Sequence, residues 1–97
     1  MKNTEAKNVS EDWSVYILEC SDGSLYTGIT NDLSRRIKEH KDGTGAKYTQ
    51  SHPVEKCVYS EECATRSLAL RREAAIKRLP RAKKLVLVAG AKPLKNK

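Results

Sequence analysis

The sequence predicts an α+β fold in which a small three-stranded antiparallel sheet is flanked by helices. Three observations support this prediction. The 97 residues are enough for one domain, near the size at which a single core becomes just sufficient. Apolar residues make up only 38% and phenylalanine is absent, so the core must draw valine, isoleucine, leucine and alanine from every regular element. Three β-rich runs and three helix-like segments are separated by turn signals.

The first two strands, at residues 13–20 and 25–30, are predicted from the runs WSVYILEC and LYTGIT. A three-residue turn between them, with Gly23 in the left-handed position, sets a register in which Tyr16 and Tyr26 share one face of the sheet. A two-residue turn would put the two tyrosines on opposite faces. The choice of turn therefore decides whether the two phenols can meet.

The three-residue turn is preferred because it separates the side chains of the hairpin more cleanly. One face is then apolar and is formed by Val15, Ile17, Leu25 and Ile29. The other face has both tyrosines beside Gly28, whose bare backbone lets another group approach closely. This second face is therefore the candidate for a functional site.

A first helix is predicted from about residue 31 to Gly43, with Asn31 or Thr30 as its N-cap and Asp32 in its first turn. The segment GTGAKYTQSHP that follows is predicted to be a loop, because its glycines and its proline discourage regular structure. This loop would bring the chain back to the sheet.

The third strand is predicted at residues 54–60, and a long helix follows at about 64–79. Pro80 opens a shorter helix that Gly90 closes. Three segments result, namely a flexible N-terminal segment at 1–12, the folded domain at 13–90 and a basic C-terminal tail at 91–97.

Composition also limits where the protein works. No stretch approaches the roughly 18 apolar residues of a membrane helix, and the polar N-terminus is unlike a signal peptide. We therefore expect a cytoplasmic protein without a membrane partner, and a monomer by default. The three cysteines, an odd number without CxxC spacing, are expected to be reduced and to behave as small hydrophobic residues.

The net charge of +7 is unevenly distributed. Residues 1–63 hold eight Lys/Arg and eleven Asp/Glu, a balance of −3, whereas residues 64–97 hold eleven Lys/Arg and one acid, a balance of +10. Such segregation suits a polyanionic partner, nucleic acid first, whose phosphates attract cations whatever the base sequence. The alternative is a solvated helix face with a basic tail, and charge alone does not decide between the two.

Several polar side chains recur at helical spacing. On the first helix Leu33 and Ile37 form the expected core stripe, while Arg36 and His40, also four residues apart, lie together on the neighbouring flank. On the long helix Glu73 is the one carboxylate among several cations, which are Arg66, Arg71, Arg72, Lys77 and Arg78. An isolated acid in a basic helix suggests a specific role.

With these residues the sequence resembles the GIY-YIG nuclease family. SVY at 14–16 stands where the family has GIY, YTG at 26–28 stands where it has YIG, and Arg36 and His40 follow at the family's spacing. The stretch GTGAKYT and the helix RREAAIKRLPRAKKLVLV resemble the small stand-alone bacterial members, so the resemblance covers about residues 13–89. Five elements in the same order and spacing make the resemblance specific.

The resemblance implies α/β/α layers and hydrolysis of phosphodiesters in DNA, or in RNA, with one divalent metal, Mg²⁺ or Mn²⁺. Low sequence specificity and a role in DNA repair or recombination are also implied. Tyr16 would be the general base for water, or would hold the water, and Tyr26 could exchange that role. Arg36 would neutralise the attacked phosphate, and His40 would assist with the nucleophile or with a neighbouring phosphate. Glu73 would hold the metal.

Further residues are expected to contact substrate, namely Gly28, Lys47, Tyr48, Arg72 and Lys77. A phenol with a pKa near 10 is a reluctant base at neutral pH. We therefore expect a metal and nearby cations, Arg36 and Lys47 among them, to lower the pKa of the catalytic tyrosine.

Each helical candidate also has an ordinary structural interpretation. Arg36 would pair with an acid such as Glu39 on a protein surface, and His40 near a helix end complements the helix dipole. Glu73 stands four residues before Lys77, which is a familiar helix-stabilising pair.

Alternatives to the nuclease hypothesis also follow from the sequence. Many catalytic members of the family have an asparagine after the glutamate, at the position that Val88 occupies here. The first alternative is therefore a nucleic-acid-binding module on the same fold with weak or no catalysis. A protein-interaction adaptor that uses the basic helices is the second.

Overall fold

The computed structural model of the chain describes residues 12–90. Its strands β1 (Trp13–Cys20), β2 (Leu25–Thr30) and β3 (Val54–Cys63) form one antiparallel sheet in the order β2-β1-β3. Its helices are α1 (Leu33–Lys41), α2 (Lys47–Ser51), α3 (Arg66–Lys77) and α4 (Arg81–Gly90). The predicted fold class, a three-stranded antiparallel sheet flanked by helices, is confirmed.

Some expectations concern segments beyond this range. The predicted flexible N-terminal segment, except Asp12, and the predicted basic tail lie outside the described residues. Within residues 12–90, no helix combines the length and the apolar character needed to cross a membrane. The three cysteines are free, and one of them, Cys20, is buried.

The turn between β1 and β2 is the three-residue turn that the sequence predicts. The amide of Gly23 donates to the carbonyl oxygen of Cys20 at 2.8 Å, and Gly23 has a φ of 87°. Tyr16 therefore lies opposite Gly28, which puts Tyr16 and Tyr26 on the same face of the sheet. We call this face the tyrosine face.

The opposite face, which we call the core face, packs against α3. Its buried cluster consists of Val15, Ile17, Tyr59, Ala69 and Ile76. α4 adds two partly buried residues, Leu87 and Val88, to this cluster. Ala69 and Ile76 are seven residues apart and lie on one side of α3, so Leu68, on another side, is left 45% exposed.

The burial of α1 corrects a prediction. Leu33 and Ile37, the expected core stripe, are only partly buried, whereas His40 is 1% exposed. The helix lies over the tyrosine face, where His40 finds hydrogen-bond partners. The flank with the candidate site residues is thus the flank that points inward.

The N-cap of α1 also differs from the prediction. The cap is Asp32, whose Oδ1 accepts from the amide of Arg35 at 3.2 Å. Thr30 is not the cap. Its hydroxyl oxygen accepts a hydrogen bond from the amide of Asp32, the cap residue, at 3.0 Å. Asn31 makes no cap.

Two element boundaries are corrected as well. Residues 47–51, predicted to be part of a loop, form the short helix α2, because the glycines come before this segment and Pro53 comes after it. β3 continues three residues beyond its predicted end at Ser60, since Glu61 and Glu62 still pair with β1.

Candidate active site

The tyrosine face is built around the phenol of Tyr16. The ring centroids of Tyr16 and Tyr26 are 6.4 Å apart, and Tyr16 is 1% exposed. A Cβ atom at position 28 would lie 2.5 Å from the hydroxyl oxygen of Tyr16 and 3.2 Å from the Tyr26 ring. Glycine at 28 therefore does permit a close approach, but the group that approaches is the Tyr16 side chain. A substrate contact at Gly28 stays a prediction.

His40, on α1, contacts the Tyr16 phenol. Its Nε2 lies 2.8 Å from the Tyr16 hydroxyl oxygen. The imidazole centroid is 5.7 Å from the Tyr16 ring and 5.1 Å from the Tyr26 ring. The helix therefore places one imidazole against both phenols, as the spacing in the sequence predicts.

The other side of the imidazole is held by the segment that contains α2. Nδ1 of His40 lies 2.7 Å from Oγ1 of Thr49, and Oγ1 of Thr49 donates to the carbonyl oxygen of Ala46 at 3.0 Å. A Cβ atom at Gly45 would be 2.7 Å from Nδ1. Glycine there lets the chain close over the ring, and both ring nitrogens are paired inside the protein.

Arg36, one turn before His40, acts on the same phenol. Burial raises the pKa of Tyr16, and the interaction of the Arg36 guanidinium with the phenol opposes that rise. Nη1 of Arg36 donates to Oε1 of Glu39 at 3.0 Å. The surface ion pair and the effect on the site phenol, which the sequence presents as alternatives, are thus both present, and Glu39 helps to orient the guanidinium.

Burial dominates the electrostatics of Tyr16. It raises the pKa of Tyr16 to about 12, and the charges of Tyr26 and Glu73 act in the same direction. Arg36 opposes this rise but does not overcome it. Arg36 thus acts in the direction expected from sequence but burial outweighs it, and the expected contribution of a bound metal stays a prediction. Ionising the phenol at pH 7 would cost about 7 kcal/mol, at about 1.4 kcal/mol per pH unit.

The pKa of the His40 imidazole shifts in the opposite direction. Burial, followed by the positive charge of Arg36, lowers the pKa of His40, while Glu39 opposes the change. His40 is therefore neutral at pH 7, so one of its ring nitrogens has a free lone pair. A buried acid and a neutral base thus lie 2.8 Å apart.

Glu73, the predicted metal ligand, lies on α3. Its side chain is 18% exposed, and its Oε2 lies 3.4 Å from Nζ of Lys77. Its charge raises the pKa of the Tyr16 phenol, and a place for the carboxylate in the same site stays a prediction. No group of three or more His, Cys, Asp or Glu suited to a metal occurs among residues 12–90.

The predicted contact residues of α2 extend the site outward. The Tyr48 ring stacks on Tyr26, with centroids 5.8 Å apart, and on His52, with centroids 3.9 Å apart and planes 2° from parallel. An open depression of about 440 Å³ adjoins this stack and is lined by Lys47, Tyr48, Gln50, Ser51 and His52. Lys47 and Tyr48 therefore lie on a surface that adjoins Tyr26.

Arg72 does not join this site. Its Nε lies 2.8 Å from Oε2 of Glu61, and the hydroxyl of Tyr59 donates to Oε1 of the same carboxylate. Tyr59 belongs to the core cluster, so this network lies on the core face. The predicted substrate contact of Arg72 has to compete with Glu61, an acid that the sequence analysis left out of the sheet.

Two residues of the cluster were not predicted from sequence. Thr49 is 2% exposed and contacts His40, and His52 stacks on Tyr48. Because the segment was predicted to be a loop, the four-residue spacing within it did not indicate that any of its side chains share a face. An assignment to a helix would have revealed that Tyr48 and His52, four residues apart, share a face.

The Tyr16 oxygen is a candidate for proton-transfer chemistry. A potential proton acceptor, His40, lies next to this buried oxygen, and the charges of Arg36 and Glu73 act on the phenol. This combination of groups suits general acid–base chemistry.

Comparison with known proteins identifies the family. Residues 12–85 match the GIY-YIG catalytic domain. A UPF0213 protein of Xanthomonas axonopodis pv. citri is 51% identical over 73 residues, which cover 75% of this chain and 72% of that protein. A UPF0213 protein of Staphylococcus saprophyticus is 48% identical over 75 residues, covering 77% of this chain and 92% of the relative.

A solved structure agrees with these matches. The solution NMR structure of a UPF0213 protein from Bacillus halodurans is 45% identical, with a TM-score of 0.55, and the match covers 86% of this chain and 89% of that one. The chain belongs to the GIY-YIG family of nuclease-type domains.

Proposed function

We propose that this protein is a metal-dependent endonuclease that hydrolyses phosphodiester bonds in DNA, with RNA as the alternative substrate. We further propose low sequence specificity and a role in DNA repair or recombination. One observation carries the proposal: the Tyr16 hydroxyl lies 2.8 Å from Nε2 of His40, and the guanidinium of Arg36 acts on the same phenol. A proton acceptor and an anion-holding cation therefore serve a single phenol.

In the proposed reaction Tyr16 takes a proton from the attacking water while its own phenolic proton moves to Nε2 of His40. A bond forms between the water oxygen and phosphorus, and the bond from phosphorus to the leaving oxygen breaks. The leaving oxygen takes a proton from solvent. Because the two proton transfers are coupled, the free phenolate never forms, and its cost of about 7 kcal/mol is avoided.

Arg36 binds the non-bridging oxygens of the attacked phosphate in this scheme. Its guanidinium already acts on the Tyr16 phenol, and its contact with Glu39 at 3.0 Å limits its rotation. Preorganised donors of this kind stabilise the charge that develops on a phosphate during attack. Tyr26, which lines the same site, holds the water or exchanges roles with Tyr16.

Glu73 would hold the divalent metal. Magnesium in proteins is commonly bound by one or two carboxylates, and water and substrate phosphates complete its coordination. A single, largely buried carboxylate whose charge acts on the phenol fits that pattern without a larger cluster of ligands among the described residues. A bound metal supplies positive charge to the attacked phosphate and to the leaving oxygen. Lys77, 3.4 Å from Glu73, adds a second cation for the substrate backbone.

The remaining surface supports nucleic-acid binding. Lys47 and Tyr48 line the open depression next to the site, where a cation and a ring suit a phosphate and a base. The exposed cations of α3 and α4 would contact the backbone without reading its sequence. Affinity is then expected to fall steeply with salt.

A cleavage assay tests the proposal. The full-length protein is incubated with labelled duplex, single-stranded and flapped DNA, and with matching RNA, in Mg²⁺, Mn²⁺ or EDTA. We expect products with either metal and none in EDTA. Glu73→Gln should lower the cleavage rate by on the order of 10³-fold, because it removes the metal's protein ligand.

The matched control is Glu55→Gln, which neutralises an exposed glutamate of β3 and should leave cleavage unchanged. Cleavage that persists in EDTA, or a Glu73→Gln protein as active as the wild type, would contradict the metal role.

A nucleic-acid-binding module without catalysis is the second candidate, and one observation favours it. Val88 packs against the hydrophobic cluster, at the position where many catalytic relatives have an asparagine. Salt-sensitive binding of the same nucleic acids, without metal-dependent products, would support this candidate over the nuclease.

A further inference from the structure

Thr49 is a buried residue that the proposed reaction does not use. It is 2% exposed, and its hydroxyl has two neighbours: Nδ1 of His40 at 2.7 Å and the carbonyl oxygen of Ala46 at 3.0 Å. A threonine hydroxyl has one proton to donate and lone pairs to accept with. The position of this proton decides which nitrogen of His40 is protonated.

The carbonyl of Ala46 can only accept a hydrogen bond, so the proton of Thr49 points toward it. The lone pairs of Oγ1 then face His40. Two acceptors 2.7 Å apart without a proton between them would repel each other, so Nδ1 has to donate. In a neutral imidazole the other nitrogen, Nε2, is then an acceptor.

The contact of Nε2 with Tyr16, on the other side of the His40 ring, independently indicates the same tautomer. The Tyr16 oxygen lies 2.8 Å from Nε2 of His40, and the Tyr16 phenol has one proton to donate. If Nε2 donated there, the phenolic proton of a residue 1% exposed would have no acceptor within the described part of the chain. If Nε2 is the acceptor, the protons of the Tyr16 hydroxyl, of His40 Nδ1 and of the Thr49 hydroxyl each have an acceptor.

From this accounting we propose that Thr49 is a positioning residue that holds His40 in the tautomer protonated at Nδ1, so that the lone pair of Nε2 faces the Tyr16 proton. The hydrogen-bonded row runs from Tyr16 through His40 and Thr49 to the Ala46 carbonyl. This inference deepens the proposed function and, for its catalytic part, rests on it.

The same contact acts after the proton has moved. When the O–H bond of Tyr16 breaks and an N–H bond forms at Nε2, His40 becomes an imidazolium. Its Nδ1–H still donates to Oγ1 of Thr49, now as a charge-assisted hydrogen bond. Gly45 keeps the chain closed over this side of the ring, since a Cβ atom there would be 2.7 Å from Nδ1. Thr49 therefore fixes the starting tautomer and also stabilises the product of the proton transfer.

The sharpest test compares two substitutions of nearly equal size. Thr49→Ser keeps the hydroxyl, whereas Thr49→Val replaces it with a methyl group. Long-range ¹H–¹⁵N NMR spectra of the imidazole at pH 7.5 report the tautomer directly. We expect Nδ1–H for His40 in the wild type and in Thr49→Ser, and a shift toward Nε2–H in Thr49→Val.

The chain supplies an internal reference for these spectra. It contains one other histidine, His52, whose Nδ1 donates to the carbonyl oxygen of Tyr48 at 2.8 Å. Its tautomer should be the same in all three proteins. A wild-type spectrum with His40 protonated at Nε2 would overturn the proposal, whether or not the variants fold. So would a Thr49→Val protein that retains Nδ1–H.

Cleavage rates test the catalytic part. Thr49→Val should cut on the order of 10²-fold more slowly than wild type, the lower end of what general acid–base catalysis contributes, and Thr49→Ser should stay within about threefold, since serine has the same donor and acceptor. Equal cleavage by Thr49→Val and wild type would overturn the positioning role. If wild type cuts nothing, the proposed function fails, and the spectra alone decide whether Thr49 sets the tautomer.

Discussion

Each face of the sheet has a buried tyrosine and a partly exposed arginine that acts on it, yet the two networks differ in chemistry. On the core face, Tyr59 donates to Glu61, and Arg72 pairs with the same carboxylate at 2.8 Å. On the tyrosine face, Tyr16 has no carboxylate as its direct partner. The groups that act on it are His40, a neutral acceptor, and Arg36, a cation.

This difference separates a structural network from a reactive one. The network of the core face is balanced in charge, and its carboxylate is a permanent acceptor for both partners. On the tyrosine face the acceptor is an imidazole, which can take a proton and return it. The side chains of β1 alternate between the two faces, so the hydrophobic core lies directly behind the candidate site.

The comparison predicts its largest effect for the two tyrosines. Tyr16→Phe should reduce cleavage by on the order of 10³-fold, because it removes the group that exchanges protons with water and with His40. Tyr59→Phe should leave cleavage within a few-fold of wild type and cost about 1 kcal/mol of unfolding free energy, since it deletes one hydrogen bond of the core face. Single-turnover rates and urea denaturation measure the two quantities.

Each of these variants is the control for the other, since both delete one buried hydroxyl. The functional distinction between the faces would be lost if Tyr59→Phe slowed cleavage as strongly as Tyr16→Phe without a comparable loss of stability.

Substitutions of the two arginines should differ less in their effect on the cleavage rate, with the larger loss again on the tyrosine face. Arg36→Gln should slow cleavage by about 10²-fold, the usual loss when one donor to a developing anion is removed. Arg72→Gln should change cleavage little and lower the unfolding free energy, because it leaves Glu61 without its cation. Cleavage rates and urea denaturation of both variants provide the comparison. If Arg72→Gln slowed cleavage as much as Arg36→Gln, the substrate contact expected from sequence would be restored.

The sequence predicted the tyrosine face because its determinants are local. The register of the hairpin depends on turn chemistry around Gly23, and one correct register places Tyr16 beside Tyr26. The spacing of Arg36 and His40 then required only helical geometry. Local patterns therefore placed the two tyrosines together and Arg36 beside His40, whereas the packing of that helix against the tyrosines was implied only by the family resemblance.

The parts that sequence missed depend on contacts between distant segments. Glu61 was left outside the third strand, so nothing indicated that it would hold Arg72. Thr49 acquires its role from His40, nine residues earlier and in another helix. The burial of His40 itself was hidden, because apolar spacing pointed to Leu33 and Ile37 as the inward side of α1. Pairwise partners of polar groups are decided by the packed fold, and hydrophobic periodicity does not report them.

The smallest predicted effect concerns pH and again separates the two faces. The pKa of His40 is lowered by burial and by Arg36, with Glu39 opposing and the Tyr16 phenol un-ionised. The unfolded chain, with its histidine pKa near 6.5, therefore takes up a proton before the folded protein does. The stability contributed by neutral His40 is complete above about pH 6.5 and is lost as the pH falls through the lowered pKa of the folded state.

Urea denaturation at pH 7.5 and 5.5 measures this loss, which cannot exceed about 1.4 kcal/mol per pH unit for one proton. His40→Gln should lack this loss, while His52 is present in both proteins and cancels in the difference. The cleavage rate of the wild type should fall over the same range, since an imidazolium cannot accept the Tyr16 proton. A wild-type pH dependence identical to that of His40→Gln would show that His40 is not the neutral buried acceptor that distinguishes the tyrosine face from the core face.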